Sequence, residues 1–304
     1  MKTCATAPPI LIPSAPRYLH LAQWTCDQID KFWPAHPRIF MCGVAEDARA
    51  LPLRDDPRNW MRIAASASAD LLADGFKHAY VILDDHPPIA ECHNQHLSYT
   101  LPQMMQELGM TSIVTGGYGP LNRRKGKVKV WSGFAPECLP LSQPWKLPLH
   151  PALWNLKRFH DILVHLIKHL PDTEHTPWAF ERIGSDLEKG GVRQDWLAAC
   201  WRVNACEMST PDALKLHNFR DILLRKLMTI LSFNLRIFGG RSGRQAFQNA
   251  IKGLRHPRIG PYPCFWSGVM KKGGINRDYL FYAEFKNRPD LAVGLTDVFR
   301  EVEA

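Results

Sequence analysis

Residues 78–86 read His-Ala-Tyr-Val-Ile-Leu-Asp-Asp-His, a compact apolar run that ends in two adjacent carboxylates, Asp84 and Asp85. Apolar runs of this kind are typical of interior strands of parallel sheets, which are buried on both faces. Open α/β sheets bind ligands at the carboxyl ends of their strands. The pattern therefore predicts a buried strand that places Asp84 and Asp85 at a ligand site.

Strand and helix patterns alternate around this run. Further strands are predicted at residues 9–13, 38–42 and 111–115. Helical spacing of apolar residues predicts helices at about 18–32, 58–73 and 96–108. Successive strand–helix units predict an α/β fold with a doubly wound, mostly parallel sheet flanked by helices.

The second half of the chain has a different pattern. An edge strand is predicted at residues 126–134, a helix at 153–170 and further helices at 211–252. No internal repeat, low-complexity tract or flexible linker separates the two halves. We therefore predict an α/β core at residues 1–185 and a mainly helical, basic region at 186–304 that packs on it.

Composition argues against several classes of protein. The chain has 304 residues, of which 45% are hydrophobic, and it lacks any stretch of about 18 uninterrupted apolar residues. The eight cysteines lack CxxC pairs and finger-like spacing, which favours reduced thiols over a zinc site. The N-terminus lacks the apolar core of a secretory signal. These features predict a globular protein of the cytoplasm.

Positive charge is unevenly distributed. The net charge is +9, and residues 211–260 hold ten Lys or Arg against two Asp or Glu. Residues 219–238 combine a wide apolar face with basic residues, which indicates either contact with an anionic membrane surface or a helix docked on the protein's own core. A basic face also attracts the phosphates of nucleotides. We expect no nucleic-acid partner, since zinc-finger, RRM and basic-arm patterns are lacking.

Adjacent carboxylates repel each other unless a cation or hydrogen-bond donors neutralise them. Mg²⁺ or Mn²⁺ bridging a diphosphate would resolve this conflict, because hard cations choose oxygen ligands. In that interpretation one carboxylate holds the cation and the other contacts ribose or sugar hydroxyls. In the alternative, Asp84 and Asp85 cap the next segment and face water.

Two further segments contain groups suited to sugar and phosphate chemistry. Glu181 lies three residues after Trp178, so both share one side of a predicted helical turn. An indole can stack on a sugar and a carboxylate can accept a hydroxyl proton, although a core Trp178 and an ion-paired Glu181 would give the same pattern. In the Gly-rich segment 263–274, Lys271 and Lys272 are suited to neutralising a diphosphate.

Taken in order, these segments resemble a group of bacterial GT-A type glycosyltransferases from polysaccharide and lipopolysaccharide biosynthesis clusters. The resemblance covers roughly residues 8–185 and implies a GT-A-like sheet followed by a helical, basic C-terminal part. The shared blocks are Pro-Ser at 13–14, a helix containing Trp60 after Asp-Asp-Pro, Leu-Asp-Asp at 83–85, Pro-Ala-Leu-Trp at 151–154 and Pro-Trp-Ala-Phe-Glu at 177–181.

The resemblance implies transfer of a sugar from a nucleoside-diphosphate sugar to a glycan or lipid-linked acceptor. It implies catalytic roles for Asp85, which would also hold Mg²⁺ or Mn²⁺, and for Glu181, the candidate general base of an inverting transfer. The implied donor contacts are Asp84, Lys271 and Lys272, with Ser14 and Tyr18 added for their position after the first strand. The implied acceptor contacts are Trp154 and Trp178.

The chain departs from the family pattern at His86-Pro87-Pro88, which stands where aromatic and apolar residues follow the paired carboxylates. A strict Asp-x-Asp is also missing. A metal-independent form that relies on Lys and Arg alone therefore stays open. Two rival functions also stay open: a DHH-like metal-dependent phosphoesterase, similar in the run from Val81 to Pro87, and a non-enzymatic nucleic-acid-binding protein. The expected location is the cytoplasm, at the inner face of the membrane if residues 219–238 bind it.

Overall fold

A computed structural model of the chain describes residues 7–115, 135–138, 149–185, 205–209, 257–258 and 260–303. Seven strands among these residues form the main sheet. They are β1 (Ile10–Pro13), β2 (Ile39–Cys42), β3 (His78–Val81), β4 (Ser112–Val114), β5 (Ala135–Cys138), β6 (Ala152–Asn155) and β7 (Ala205–Ser209). Their order across the sheet is β2-β1-β3-β6-β4-β7-β5.

The sheet is mixed. Strand β1 pairs in parallel with β2 on one side and with β3 on the other, and β6 lies antiparallel between β3 and β4. Beyond β4 the sheet continues with the parallel strand β7 and the antiparallel strand β5. Five of the seven described strands therefore point in the same direction.

Helices cover both faces of this sheet. They are α1 (Leu19–Phe32), α2 (Trp60–Ala73), α3 (Leu101–Leu108), α4 (Leu156–His169), α5 (Pro177–Ser185), α6 (Arg277–Phe285) and α7 (Leu295–Glu303). Because side chains alternate along a strand, Ile10 and Ile12 pack towards α1 and α3, while Leu11 packs towards α2 and α4. The predicted α/β class, with a sheet flanked by helices, is confirmed.

The predicted helix at residues 153–170 begins too early. Residues 152–155 form β6, at the centre of the sheet, and the helix starts only at Leu156. The Asn155 side chain accepts a hydrogen bond from the Arg158 N–H at 3.1 Å and so caps α4. A short buried strand next to an amphipathic helix has the same apolar content as a longer helix, so periodicity alone does not separate them.

The C-terminal segment packs on α1. It contains α6, α7 and two small antiparallel sheets, β8 (Pro257–Arg258) with β9 (Cys264–Phe265) and β10 (Met270–Lys271) with β11 (Gly274–Ile275). Leu21 and Trp24 of α1 form a hydrophobic cluster with Phe265, Tyr279 and Phe299. The predicted strand at 126–134, the helices at 211–252 and the amphipathic segment 219–238 lie outside the described residues.

None of the helices that the structure describes combines the length and the apolar character needed to span a membrane.

Candidate functional site

A cleft of about 940 Å³ opens at the carboxyl ends of β1 and β3. Strand β2 lies on one side of β1, and β3, which follows β2 in the chain, lies on the other side of β1. The crevice between β1 and β3 is therefore the topological switch point, where open α/β sheets bind ligands. Eight of the nine predicted site residues line it: Ser14, Tyr18, Asp84, Asp85, Trp178, Glu181, Lys271 and Lys272.

Asp84 is held at the base of the cleft by two hydroxyl groups. Ser14 Oγ, just after β1, donates to Asp84 Oδ2 at 2.6 Å, and Thr25 Oγ1 of α1 donates to the Asp84 carbonyl oxygen. Asp84 is only 8% exposed. Burial and the neighbouring charge of Asp85 raise the pKa of Asp84 to about 7, against the lowering effect of the Ser14 hydrogen bond.

Asp85 is held by its neighbour His86. Asp85 Oδ1 lies 2.6 Å from His86 Nδ1, and the other ring nitrogen of His86 lies 3.1 Å from the Trp266 carbonyl oxygen. Burial of the ring acts against protonation, but the Asp85 carboxylate and the Trp266 carbonyl outweigh it and raise the pKa of His86. The fully buried Tyr262 donates its hydroxyl to the His86 carbonyl oxygen at 3.1 Å.

Gly268 lets the C-terminal segment close over Asp85. The Val269 N–H donates to the Asp85 carbonyl oxygen at 2.8 Å, and Gly268 has a φ of +66°. A Cβ atom at Gly268 would lie 2.3 Å from Asp85 Oδ2 and 2.8 Å from its Cγ. Sequence reasoning noted a Gly-rich turn here, but nothing in the pattern named Asp85 as its partner.

Helix α5 brings Glu181 and Trp178 to the cleft. Thr176 Oγ1 accepts a hydrogen bond from the Ala179 N–H at 3.1 Å and so caps the helix. Glu181 Oε1 accepts a hydrogen bond from the Leu149 N–H at 2.6 Å. Burial raises the pKa of Glu181, while the Leu149 hydrogen bond acts in the opposite direction. Trp178 is 75% exposed, so its indole faces are open to a ligand.

Trp154 does not line the cleft. Its side chain is fully buried and packs against Phe159 and Phe180, in the core between the sheet and α4 and α5. The prediction that Trp154 contacts an acceptor is therefore wrong, because β6 turns this side chain into the core. Two aromatic groups that sequence reasoning missed, His150 and Trp266, stack on each other at the edge of the cleft.

Four cationic side chains line the cleft: Arg17, Arg58, Lys271 and Lys272. Arg58 is ion-paired with Asp56 at 2.8 Å, and the other three are called here the basic wall. Tyr18 and Met270, which neighbour Arg17 and Lys271 in sequence, pack on the same hydrophobic cluster and so join the segment after β1 to the β10–β11 hairpin. The Arg17 guanidinium lies 4.5 Å from the centroid of the Tyr18 ring. Cations beside buried carboxylates favour a ligand that carries both negative charge and hydroxyl groups.

Asp84 and Asp85 fit a metal ion that is shared with a ligand. Within the described ranges, no three His, Cys, Asp or Glu side chains converge as a metal-binding group. Mg²⁺, however, is commonly held by one or two carboxylates together with substrate phosphates and water. A divalent cation would also stabilise the charged form of Asp84, which burial disfavours. The two carboxylates are therefore compatible with Mg²⁺ or Mn²⁺ that a bound ligand helps to hold.

Replacing Gly268 with Ala tests the contact with Asp85. Gly268→Ala combines a left-handed backbone with an overlap on the carboxylate, so we expect it to lower the free energy of unfolding by about 2–4 kcal/mol. Gly109→Ala is the control, because Gly109 has a similar φ of +58° and open space around it; its loss should be about 1 kcal/mol. Equal losses in urea unfolding would contradict the close approach.

The raised pKa of Asp84 predicts a pH effect on stability. Between about pH 4 and pH 7 the folded chain keeps a proton on Asp84 that the unfolded chain releases, so this group's contribution to stability is lost as the pH rises. The free energy of unfolding of Asp84→Asn, measured relative to that of the parent, should therefore increase from pH 5 to pH 8 by on the order of 2 kcal/mol in urea unfolding. Asp74→Asn, at the exposed end of α2, is the control for the loss of a carboxylate. A difference between Asp84→Asn and the parent that is equal at pH 5 and pH 8 would refute the assignment.

Comparison with protein-family models, with curated proteins and with solved structures gives no match for this chain. The geometry of the cleft is therefore the basis for proposing a function. Its distinguishing features are the buried Asp84 and the partly buried Asp85 at the switch point of the sheet, a basic wall beside them, and the Glu181 carboxylate near the exposed Trp178 indole.

Proposed function

We propose that the chain is a GT-A type glycosyltransferase, which transfers a sugar from a nucleoside-diphosphate sugar to a glycan or lipid-linked acceptor. The observation that supports this most is that a single cleft joins the Asp84–Asp85 pair, the basic wall, and Glu181 beside Trp178. These three sets of groups match the three parts of such a reaction: donor hydroxyls, a departing diphosphate and an acceptor hydroxyl.

The donor would bind at the switch point. Asp84 has one oxygen bound to Ser14 and one left to accept a hydrogen bond from a ribose or sugar hydroxyl. The basic wall lies where it can neutralise a diphosphate, which carries its greatest charge as it departs. Mg²⁺ or Mn²⁺, when bound at Asp85, would supply further charge neutralisation of the same phosphates.

The acceptor would bind against α5. The Leu149 N–H donates to one oxygen of Glu181 and so orients the carboxylate at the cleft. In the transfer, the acceptor oxygen bonds to the anomeric carbon, the bond from that carbon to the diphosphate breaks, and the hydroxyl proton moves to Glu181. A raised pKa makes Glu181 a stronger base for this step. The exposed face of Trp178 suits stacking on an acceptor sugar.

Buried thiols support placing the reaction in the cytoplasm. Cys26, Cys42 and Cys92 are free, buried thiols, as expected of proteins in a reducing compartment. Burial raises the pKa of Cys26 to about 12, so this thiol stays protonated and unreactive at neutral pH. An anionic membrane surface remains a proposed partner of residues 219–238.

Donor binding provides the main test. Titration calorimetry of the parent with a panel of nucleotide sugars, with Mg²⁺ or Mn²⁺ and with EDTA, should identify one that binds. Asp85→Asn should weaken that binding at least about tenfold in metal, because it removes a charge that balances the cation. Asp161→Asn, on the outer surface of α4, is the matched control and should bind like the parent. The proposal fails if the parent binds none of the donors, and release of a nucleoside monophosphate without sugar transfer would favour the phosphoesterase.

Glu181→Gln separates chemistry from binding. We expect the donor Kd to stay unchanged and kcat to fall by about 10²- to 10⁴-fold, because the amide cannot take the acceptor proton. In the parent, kcat should rise with pH as Glu181 loses its proton, at a pH above the usual range for a glutamate. Glu107→Gln on α3 serves as the control. Unchanged turnover in Glu181→Gln would exclude this residue as the base.

A further inference from the structure

The two lysines of the basic wall differ in what they bind. Lys271 Nζ donates to Asp278 Oδ2 at 3.2 Å, and the Asp278 side chain is only 5% exposed, so Lys271 is paired with a buried carboxylate. Lys272 lines the same cleft and is exposed, and its ammonium has no ion-pair or hydrogen-bond partner anywhere in the described part of the chain. Lys271 is thus engaged within the protein, while Lys272 is available to a ligand.

Lys272 also occupies an unfavourable backbone position. It is the first residue of the two-residue turn between β10 and β11, with a φ of +54°, and Gly273 follows with a φ of +80°. Turns with two left-handed residues favour Asn, Asp or Gly at the first position. Lysine has neither the freedom of glycine nor a short side chain that bonds to its own backbone, so it carries a steric cost here.

The surroundings hold this turn in place. Asn276, only 1% exposed, donates from Nδ2 to the Gly268 carbonyl oxygen at 2.8 Å and to Ser267 Oγ at 3.0 Å. Its Oδ1 accepts from the Asp278 N–H at 3.1 Å, which caps α6. The hairpin is therefore anchored at the base by the residues that lie over Asp85. Unfavourable backbone conformations persist where the surrounding structure determines them, and they concentrate at binding sites.

We propose that Lys272, and not Lys271, is the lysine that binds the diphosphate of the donor, and that its strained turn position serves to present the ammonium to the cleft. Lys271 is a positioning residue that neutralises the buried Asp278. This inference rests on the proposed function, because the anion it names is the diphosphate of a nucleotide sugar. Removal of Lys272 should weaken diphosphate binding and stabilise the fold at the same time, whereas charge attraction alone predicts only the weaker binding.

The test pairs calorimetry, with inorganic pyrophosphate and with the nucleotide sugar that binds best, with urea unfolding. Lys272→Asn should lower the affinity for both ligands about tenfold, since one charged contact is lost. It should also lower the equilibrium constant for unfolding about fivefold, because Asn suits the left-handed turn. Lys272→Arg keeps both the charge and the strain, so it should resemble the parent in both measurements.

Asn287 provides a control for the reverse substitution, from Asn to Lys. It is exposed and has a similar φ of +53°, but it does not line the cleft. Asn287→Lys should raise the equilibrium constant for unfolding about fivefold and leave pyrophosphate binding unchanged.

The outcomes separate this inference from the proposed function. If Lys272→Asn binds both ligands as tightly as the parent, or binds weakly without gaining stability, the inference is overturned while the transferase proposal survives. If pyrophosphate binds in a manner that depends on Lys272 but no nucleotide sugar binds, the inference stands and the transferase proposal falls.

Discussion

The repulsion between two neighbouring carboxyl groups, Asp84 and Asp85, in a largely buried crevice is the constraint on which the site depends. Water cannot fully solvate them there, so the fold must supply partners. It does so unequally: burial and the Asp85 charge raise the pKa of Asp84 despite the hydrogen bond from Ser14, while His86 lies against Asp85. The incomplete neutralisation of the pair is what makes a cationic or hydroxyl-rich ligand favourable at this point.

The parts of this arrangement that are local in sequence could be predicted. The run before Asp84 is apolar because β3 is buried on both faces, and its end marks the carboxyl edge of the sheet. The spacing of Trp178 and Glu181 places both at the cleft, because one turn of α5 carries them. Trp154 could not be placed, since an apolar residue just before a helix looks the same whether it extends the helix or ends a strand.

Contacts between distant segments could not be predicted. The role of Gly268 depends on Asp85, far away along the chain, and only the folded geometry shows that a single methyl group would collide with the carboxylate. The same holds for His150 and Trp266, which meet only because β6 and the C-terminal segment reach the same edge of the sheet. Residues on both sides of position 185 line the cleft, so a boundary drawn there for composition and charge cuts through the candidate site.

The closure of the C-terminal segment over the carboxylate pair also has a consequence for the order in which the protein is made. During synthesis, Asp84 and Asp85 leave the ribosome well before Tyr262, Val269 and the β10–β11 hairpin. Until then the acidic crevice stays open to water and lacks Lys271 and Lys272, the two lysines of its basic wall. A nascent chain therefore has no complete cleft until the segment that holds Trp266 to Gly273 has been made.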